Sequence, residues 1–216
     1  MNGYKKIDLD KYYRQDVFRH FTSDCKCSMS MTKKIDVTHL KKFSDMTCTK
    51  FYINFLYVLS QVLNSCDDYK YVWRWETNEL ILYEQINPTQ YIFHEDTKTF
   101  TVAYTEYDKD YKIFYEAALS DIKKAKQTRN YGLDMKNHPN WFDASFLPWT
   151  SYDSFNIELP DGHLFFNPIV NWGKYQNENG KLLMPVSIRL NHAIADGFHV
   201  ANFFALMEAK LEDYSK

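Results

Sequence analysis

The 216-residue sequence is long enough for one large domain with a substantial core, and a single domain over residues 1–216 is the expectation. Its 26 basic and 28 acidic residues leave a net charge of -2, which excludes the electrostatic footprint of a nucleic-acid or acidic-membrane binder and points to a small-molecule partner. The aromatic share of 18% is read either as an aromatic-rich core or as aromatic-lined pockets and interfaces added to one. Cys25, Cys27, Cys48 and Cys66 lack the paired spacing of a zinc site or a disulfide framework, so free thiols and no metal are expected. The N-terminus is charged without an apolar signal core, and the longest apolar run, INFLYVL, is too short to cross a bilayer, which reads as a cytoplasmic protein.

In chain order, DLDKYYRQDVFRHF (8–21) predicts a short helix with Tyr13, Val17, Phe18 and Phe21 on its apolar face and Arg14 within it. KKIDVTHLKKF (33–43) reads as a short strand giving way to a helix with Thr38 as N-cap. Residues 49–66 place Ile53, Leu56, Tyr57, Ser60 and Leu63 on one face of a buried helix. YVWRW, ELILYEQI, QYIFHED and TFTVAYTEY, between residues 70 and 107, predict an antiparallel meander. A helix follows at 108–127 with Tyr111, Phe114, Ala118 and Ile122 inward, then a loop at 128–144 containing Gly132, His138 and Pro139. From 145 the pattern is strand-like again, and Asn179-Gly180 between two alternating runs is a strong hairpin signal.

The stretch SIRLNHAIADGFHVANFF (187–204) organises the end of the chain. Leu182, Met184, Val186, Ile188 and Leu190 share one strand face with His192, and Asp196-Gly197 supplies an N-cap and turn. Val200, Phe204, Met207 and Leu211 then recur at helical spacing, giving a strand, a histidine, a turn and a helix. Strands and helices mix without a regular βαβ repeat, and no glycine-rich phosphate loop is present. The expected fold is an α/β two-layer sandwich with a mixed, largely antiparallel sheet covered by helices on one face.

An imidazole at a strand end can act as a general base near neutral pH, while the plainer reading of His192 is a hydrogen-bonded core residue. Asp196 equally serves as a simple helix cap, and His199, one turn on, reads as structural. Ser145 in ASFLPW stands at the start of a strand-like run. A Ser-His-Asp hydrolase is disfavoured because no G-x-S-x-G elbow surrounds any serine.

NHAIADGFHV closely resembles the HHxxxDGFHV signature of chloramphenicol acetyltransferases. SFLPWTSYDSFNIEL is similar to the family's SxxPWxxFxSFNL block, KKIDVTHLKKF to its KIDxTxLKK block, and NPIVNWGKYQNENGKLLMPVSIRL to its PxxxxxKYxxxxxxxLMPxSIQV-type strand pair. The resemblance runs through essentially the whole chain in order. The shorter HxxxDG pattern also occurs in dihydrolipoyl acyltransferases and peptide-synthetase condensation domains, so the surrounding blocks carry the specificity.

The resemblance implies acetyl-CoA as a co-substrate with no permanently bound cofactor, and chloramphenicol or a similar hydroxylated small molecule as acceptor. It implies that His192 is the general base, that Ser145 stabilises the oxyanion, and that Asp196 pairs with Arg14 to support the site. It also implies a homotrimer whose sites lie at subunit interfaces, His192 facing a pocket built largely by the neighbour. The sequence departs from the family pattern at Asn191, where the first histidine of the doublet stands, and at Ala195, where a cysteine is usual. Phe21 replaces a pocket tyrosine and Asn171 a threonine that contacts the acceptor or an ordered water. Phe21, Asn171 and Asn191 leave open an acetyltransferase acting on another hydroxylated acceptor, and a non-catalytic binder of amphipathic molecules is a third reading.

Overall fold

The computed structural model describes residues 3–132, 134, 137–159 and 164–215. Its elements are β1 (Tyr4–Lys6), α1 (Gln15–Ser23), β2 (Ser28–Asp36), α2 (Thr38–Met46), α3 (Phe51–Asn64), β3 (Tyr71–Arg74), β4 (Glu79–Tyr83), β5 (Asn87–His94), β6 (Thr99–Tyr104), α4 (Tyr111–Lys126), β7 (Trp141–Leu147), β8 (Ile169–Gly173), β9 (Gln176–Glu178), β10 (Lys181–Asn191) and α5 (Gly197–Glu212). This is an α/β fold with a mixed sheet. In the seven-stranded sheet β2, β10, β8, β7, β5 and β6 lie side by side in that order, with β9 paired to β10. β7 runs parallel to both β5 and β8, and the other pairings are antiparallel.

The long strand β10 shows why the layers form. Met184, Val186, Ile188 and Leu190 alternate along it and are essentially fully buried. They share one core with Phe142 and Ala144 of β7, Val170 and Trp172 of β8, and the inner stripes of α3 and α5. Truncating a side chain in such a core removes its burial and leaves a cavity, at about 2–5 kcal/mol. The other face of the same strands carries polar groups. Thr32, Ser187, Asn171 and Ser145 stand opposite one another across β2, β10, β8 and β7.

The predicted helices at 49–66 and 108–127 are α3 and α4, and Asp110 caps the second by accepting from the Lys112 and Ile113 amides. The Asn179-Gly180 hairpin joins β9 to β10, both residues at positive φ (54° and 83°) as a type I′ turn requires. The predicted meander is two hairpins in different sheets. β4 pairs with β3 on one edge and β1 on the other in a three-stranded sheet, so it has no edge left for β5.

Three local expectations are also corrected. Thr38 is not the cap of α2: the Asp36 carboxylate accepts from its amide and hydroxyl, and the Thr38 hydroxyl in turn accepts from the Leu182 amide. The helix expected over 8–21 is α1, which starts only at Gln15; Phe18 and Phe21 pack inward from it, while Val17 and, before the helix, Tyr13 stay exposed. The strand expected from 145 begins at Trp141 and ends at Leu147, just before Pro148, which has no amide to donate to a ladder. Beyond it the chain crosses β8 at Gly173, where an added Cβ would stand 2.9 Å from the Thr150 carbonyl oxygen and from the Tyr152 ring.

Candidate active site

β10 ends at Asn191, whose carbonyl accepts from the amides of Ile194 and Ala195 and whose side-chain oxygen accepts from Ala193 at 2.9 Å. This tight turn swings the Ala195 carbonyl back to His192 Nδ1, 3.0 Å away. A carbonyl only accepts, so Nδ1 carries a proton, and in the neutral ring the lone pair is on Nε2. The His192 amide donates to the Cys27 carbonyl at 3.1 Å, and the ring lies face to face with Phe21, centroids 3.9 Å apart and planes within 15°. Backbone, carbonyl and aromatic face fix the imidazole in one orientation.

Asp196 caps α5 by accepting from the Phe198 amide at 3.0 Å, and its Oδ2 accepts from Arg14 Nη1 at 2.9 Å. Burial raises its pKa, but the hydrogen bonds from Arg14, His199 and the backbone outweigh this and hold it at about 2. Because that value lies below the ordinary one, the stabilisation is present above the carboxylate range and fades only as pH falls towards 2. His199 Nδ1 lies 3.1 Å from the Asp196 amide nitrogen, and its Nε2 lies 3.6 Å from Asp68, so its ring is occupied by the helix start.

Ser145 sits elsewhere. It lines a cavity of about 810 Å³, together with Tyr91, Phe93, Phe100, Trp149 and Asn171, and its hydroxyl makes no hydrogen bond among the described residues. Asn171 is its register partner on β8, and the buried Asn171 Oδ1 has no partner either. Ser145 aligns through Asn171 with Ser187, two strands away and five residues before His192. At about 4.8 Å per strand and 3.3 Å per residue, Ser145 and His192 are roughly 19 Å apart. The structure therefore brings together Arg14, Asp196, Phe21 and His192 in one cluster and Ser145 with Asn171 in another. His192 does not line the cavity.

Sequence reasoning missed Asp143, which lies on the cavity wall two residues before Ser145 on the same face of β7. The available signal is the period-two alternation of WFDASFL, which the loop-like residues before it mask. Arg189 was missed as well. It is buried without an acidic partner, its Nη2 donates to Ser28 Oγ at 2.5 Å, and Nη1 donates to nothing among the described residues.

The family description "Chloramphenicol acetyltransferase" matches residues 1–208. Chloramphenicol acetyltransferase 3 of Escherichia coli is 34% identical over 204 residues, covering 93% of each chain. Chloramphenicol acetyltransferase 2 of Haemophilus influenzae is 30% identical, covering 99% of this chain and all of its own. A solved chloramphenicol acetyltransferase superposes with a TM-score of 0.88 over 97% of this chain and all of the other at 19% identity, a likeness of fold.

Proposed function

Because the chain belongs to the chloramphenicol acetyltransferase family, we propose that it transfers the acetyl group of acetyl-CoA to the primary hydroxyl of chloramphenicol, which inactivates the antibiotic. The observation that carries this reading is the 3.0 Å contact of His192 Nδ1 with the Ala195 carbonyl, which commits Nδ1 as a donor and leaves Nε2 to act as the base. In the reaction Nε2 takes the proton of the acceptor hydroxyl as its oxygen attacks the thioester carbonyl. The new C–O bond makes a tetrahedral centre whose oxyanion accepts a hydrogen bond from Ser145 Oγ. Collapse breaks the C–S bond, and the departing sulfur takes the proton from the imidazolium. No acyl-enzyme forms. The Phe21 face against the imidazole favours the transient cation.

A base and an oxyanion donor roughly 19 Å apart cannot serve the same tetrahedral centre, since both must lie within about 3 Å of it. The proposed site is therefore composite, in a homotrimer: His192, Phe21 and the Arg14–Asp196 pair come from one copy, and the cavity with Ser145 and Asn171 from its neighbour. Asn171 Oδ1 and Arg189 Nη1 on the open sheet face, buried and without a hydrogen-bond partner among the described residues, support this, because native folds leave few such groups uncovered. So does Trp149, which is 61% exposed beside the cavity. The proposed use of acetyl-CoA fits a cytoplasmic protein.

Thiol release from acetyl-CoA tests the function. Chloramphenicol-dependent release of CoA, one per acetylated product, is expected. The absence of that release at high enzyme concentration would reject the acceptor assignment. Phe21, which lacks the hydroxyl of a tyrosine, and the free acceptor on Asn171 favour a second reading, another hydroxylated acceptor at the same site. That reading is signalled by slow thioester hydrolysis with chloramphenicol inert.

A further inference from the structure

We infer that Asp143 determines acceptor specificity, its free Oδ2 receiving an N–H or O–H donor from the part of the acceptor that does not react. This rests on the reading of the cavity as the acceptor site. The Tyr91 hydroxyl donates to Asp143 Oδ1, and the Thr89 hydroxyl, 3.1 Å from the same oxygen and 3.0 Å from the Phe142 carbonyl, shares its one proton between the two. Oδ2 has no hydrogen bond among the described residues, although the side chain lines the cavity and is only 8% exposed. The surroundings offer it little else. The cavity is walled by aromatic rings, Tyr131 stands close by, and Lys50 and Lys126 also line it without pairing to Asp143.

A carboxylate held by two neutral hydroxyls on one oxygen, with the other facing an aromatic cavity, is under-compensated. Burial accordingly pushes its pKa up to about 6, against the lowering effect of the Tyr91 and Thr89 hydrogen bonds. Near neutral pH the group is mostly ionised, so Oδ2 presents an acceptor. A ligand donor there gains a charge-assisted hydrogen bond and completes the carboxylate at once. Position sets the consequence. Asp143 and Ser145 lie two residues apart on one strand face, about 7 Å, so a molecule with its reacting hydroxyl near Ser145 can place a second donor on Asp143 without leaving the cavity. The acceptor class is thus a hydroxylated aromatic molecule with a second N–H or O–H donor near the reacting hydroxyl. Chloramphenicol, with its amide N–H and secondary hydroxyl, belongs to it.

The test is calorimetric titration of chloramphenicol into the intact protein between pH 5.5 and 7.5, with kcat and KM beside it, for wild type, Asp143→Asn and Asp143→Leu. Asp143→Leu is expected to weaken binding about tenfold or more, the scale of one charge-assisted hydrogen bond, with the loss falling on KM more than on kcat. Asp143→Asn, which keeps an acceptor oxygen and the side-chain shape, should lose less. Wild-type affinity should fall as pH drops through about 6 and Oδ2 takes up a proton, whereas that of Asp143→Asn should not. Thermal melts of both variants separate misfolding from lost recognition, and the near-isosteric Asn variant keeps the test open if the Leu variant melts early. Binding within twofold of wild type in both variants, or coincident pH profiles for wild type and Asp143→Asn, would overturn the inference while leaving the acetyltransferase reading intact. Wild-type protein that neither binds nor acetylates chloramphenicol overturns both.

Discussion

Replacement of His192 by alanine is expected to lower kcat roughly 10³- to 10⁴-fold, the upper part of the range for loss of a general base. Without the imidazole the acceptor hydroxyl, a very weak acid, must lose its proton to solvent while it attacks. The fold should tolerate the change. Among the described residues the ring makes one hydrogen bond, to the Ala195 carbonyl, and one stacking contact, with Phe21, while the backbone bond from the His192 amide to Cys27 survives. Steady-state kinetics beside a thermal melt reads both quantities. A melt close to wild type with kcat reduced less than tenfold would remove His192 from the chemistry.

The second large effect is expected at Ser145. Its hydroxyl makes no hydrogen bond among the described residues, so Ser145→Ala should leave stability unchanged and remove only an interaction made in the transition state. The expected loss is roughly 10²-fold in kcat, the scale of one oxyanion donor, with KM for chloramphenicol little altered. A raised KM with kcat intact would instead make Ser145 a ground-state contact.

Much of this was legible in the chain because the relevant signals are local. The alternation of Met184, Val186, Ile188 and Leu190 fixed which face of β10 is buried, and the Asn179-Gly180 turn announced the hairpin before it. Asp196-Gly197 likewise marked the start of α5. What was not legible depended on partners distant in sequence. β4 looked like one strand of a meander because nothing in ELILY reveals that Tyr4–Lys6 occupies its second edge. The strand at Trp141–Leu147 was hidden because Trp141, Asp143 and Ser145 face a cavity and its polar groups, so the face opposite Phe142 and Ala144 is not uniformly polar or apolar. The candidate site divides in the same way. The motif around His192 is contiguous, whereas the wall bearing Ser145, Asn171, Asp143 and Tyr91 is assembled from three strands, and only the first two were marked by resemblance.

The composite site is tested most directly by mixing two inactive variants. When His192→Ala and Ser145→Ala chains are co-expressed in equal amounts and assemble at random, one quarter of the interfaces should unite an intact His192 from one copy with an intact Ser145 from its neighbour. The account predicts chloramphenicol-dependent CoA release at about a quarter of the wild-type rate, from two variants that are each nearly inert alone. If both residues act within one chain, no mixture can restore a complete site. Release no greater than the mean of the two separate variants, in a preparation shown to contain mixed assemblies, would contradict the account.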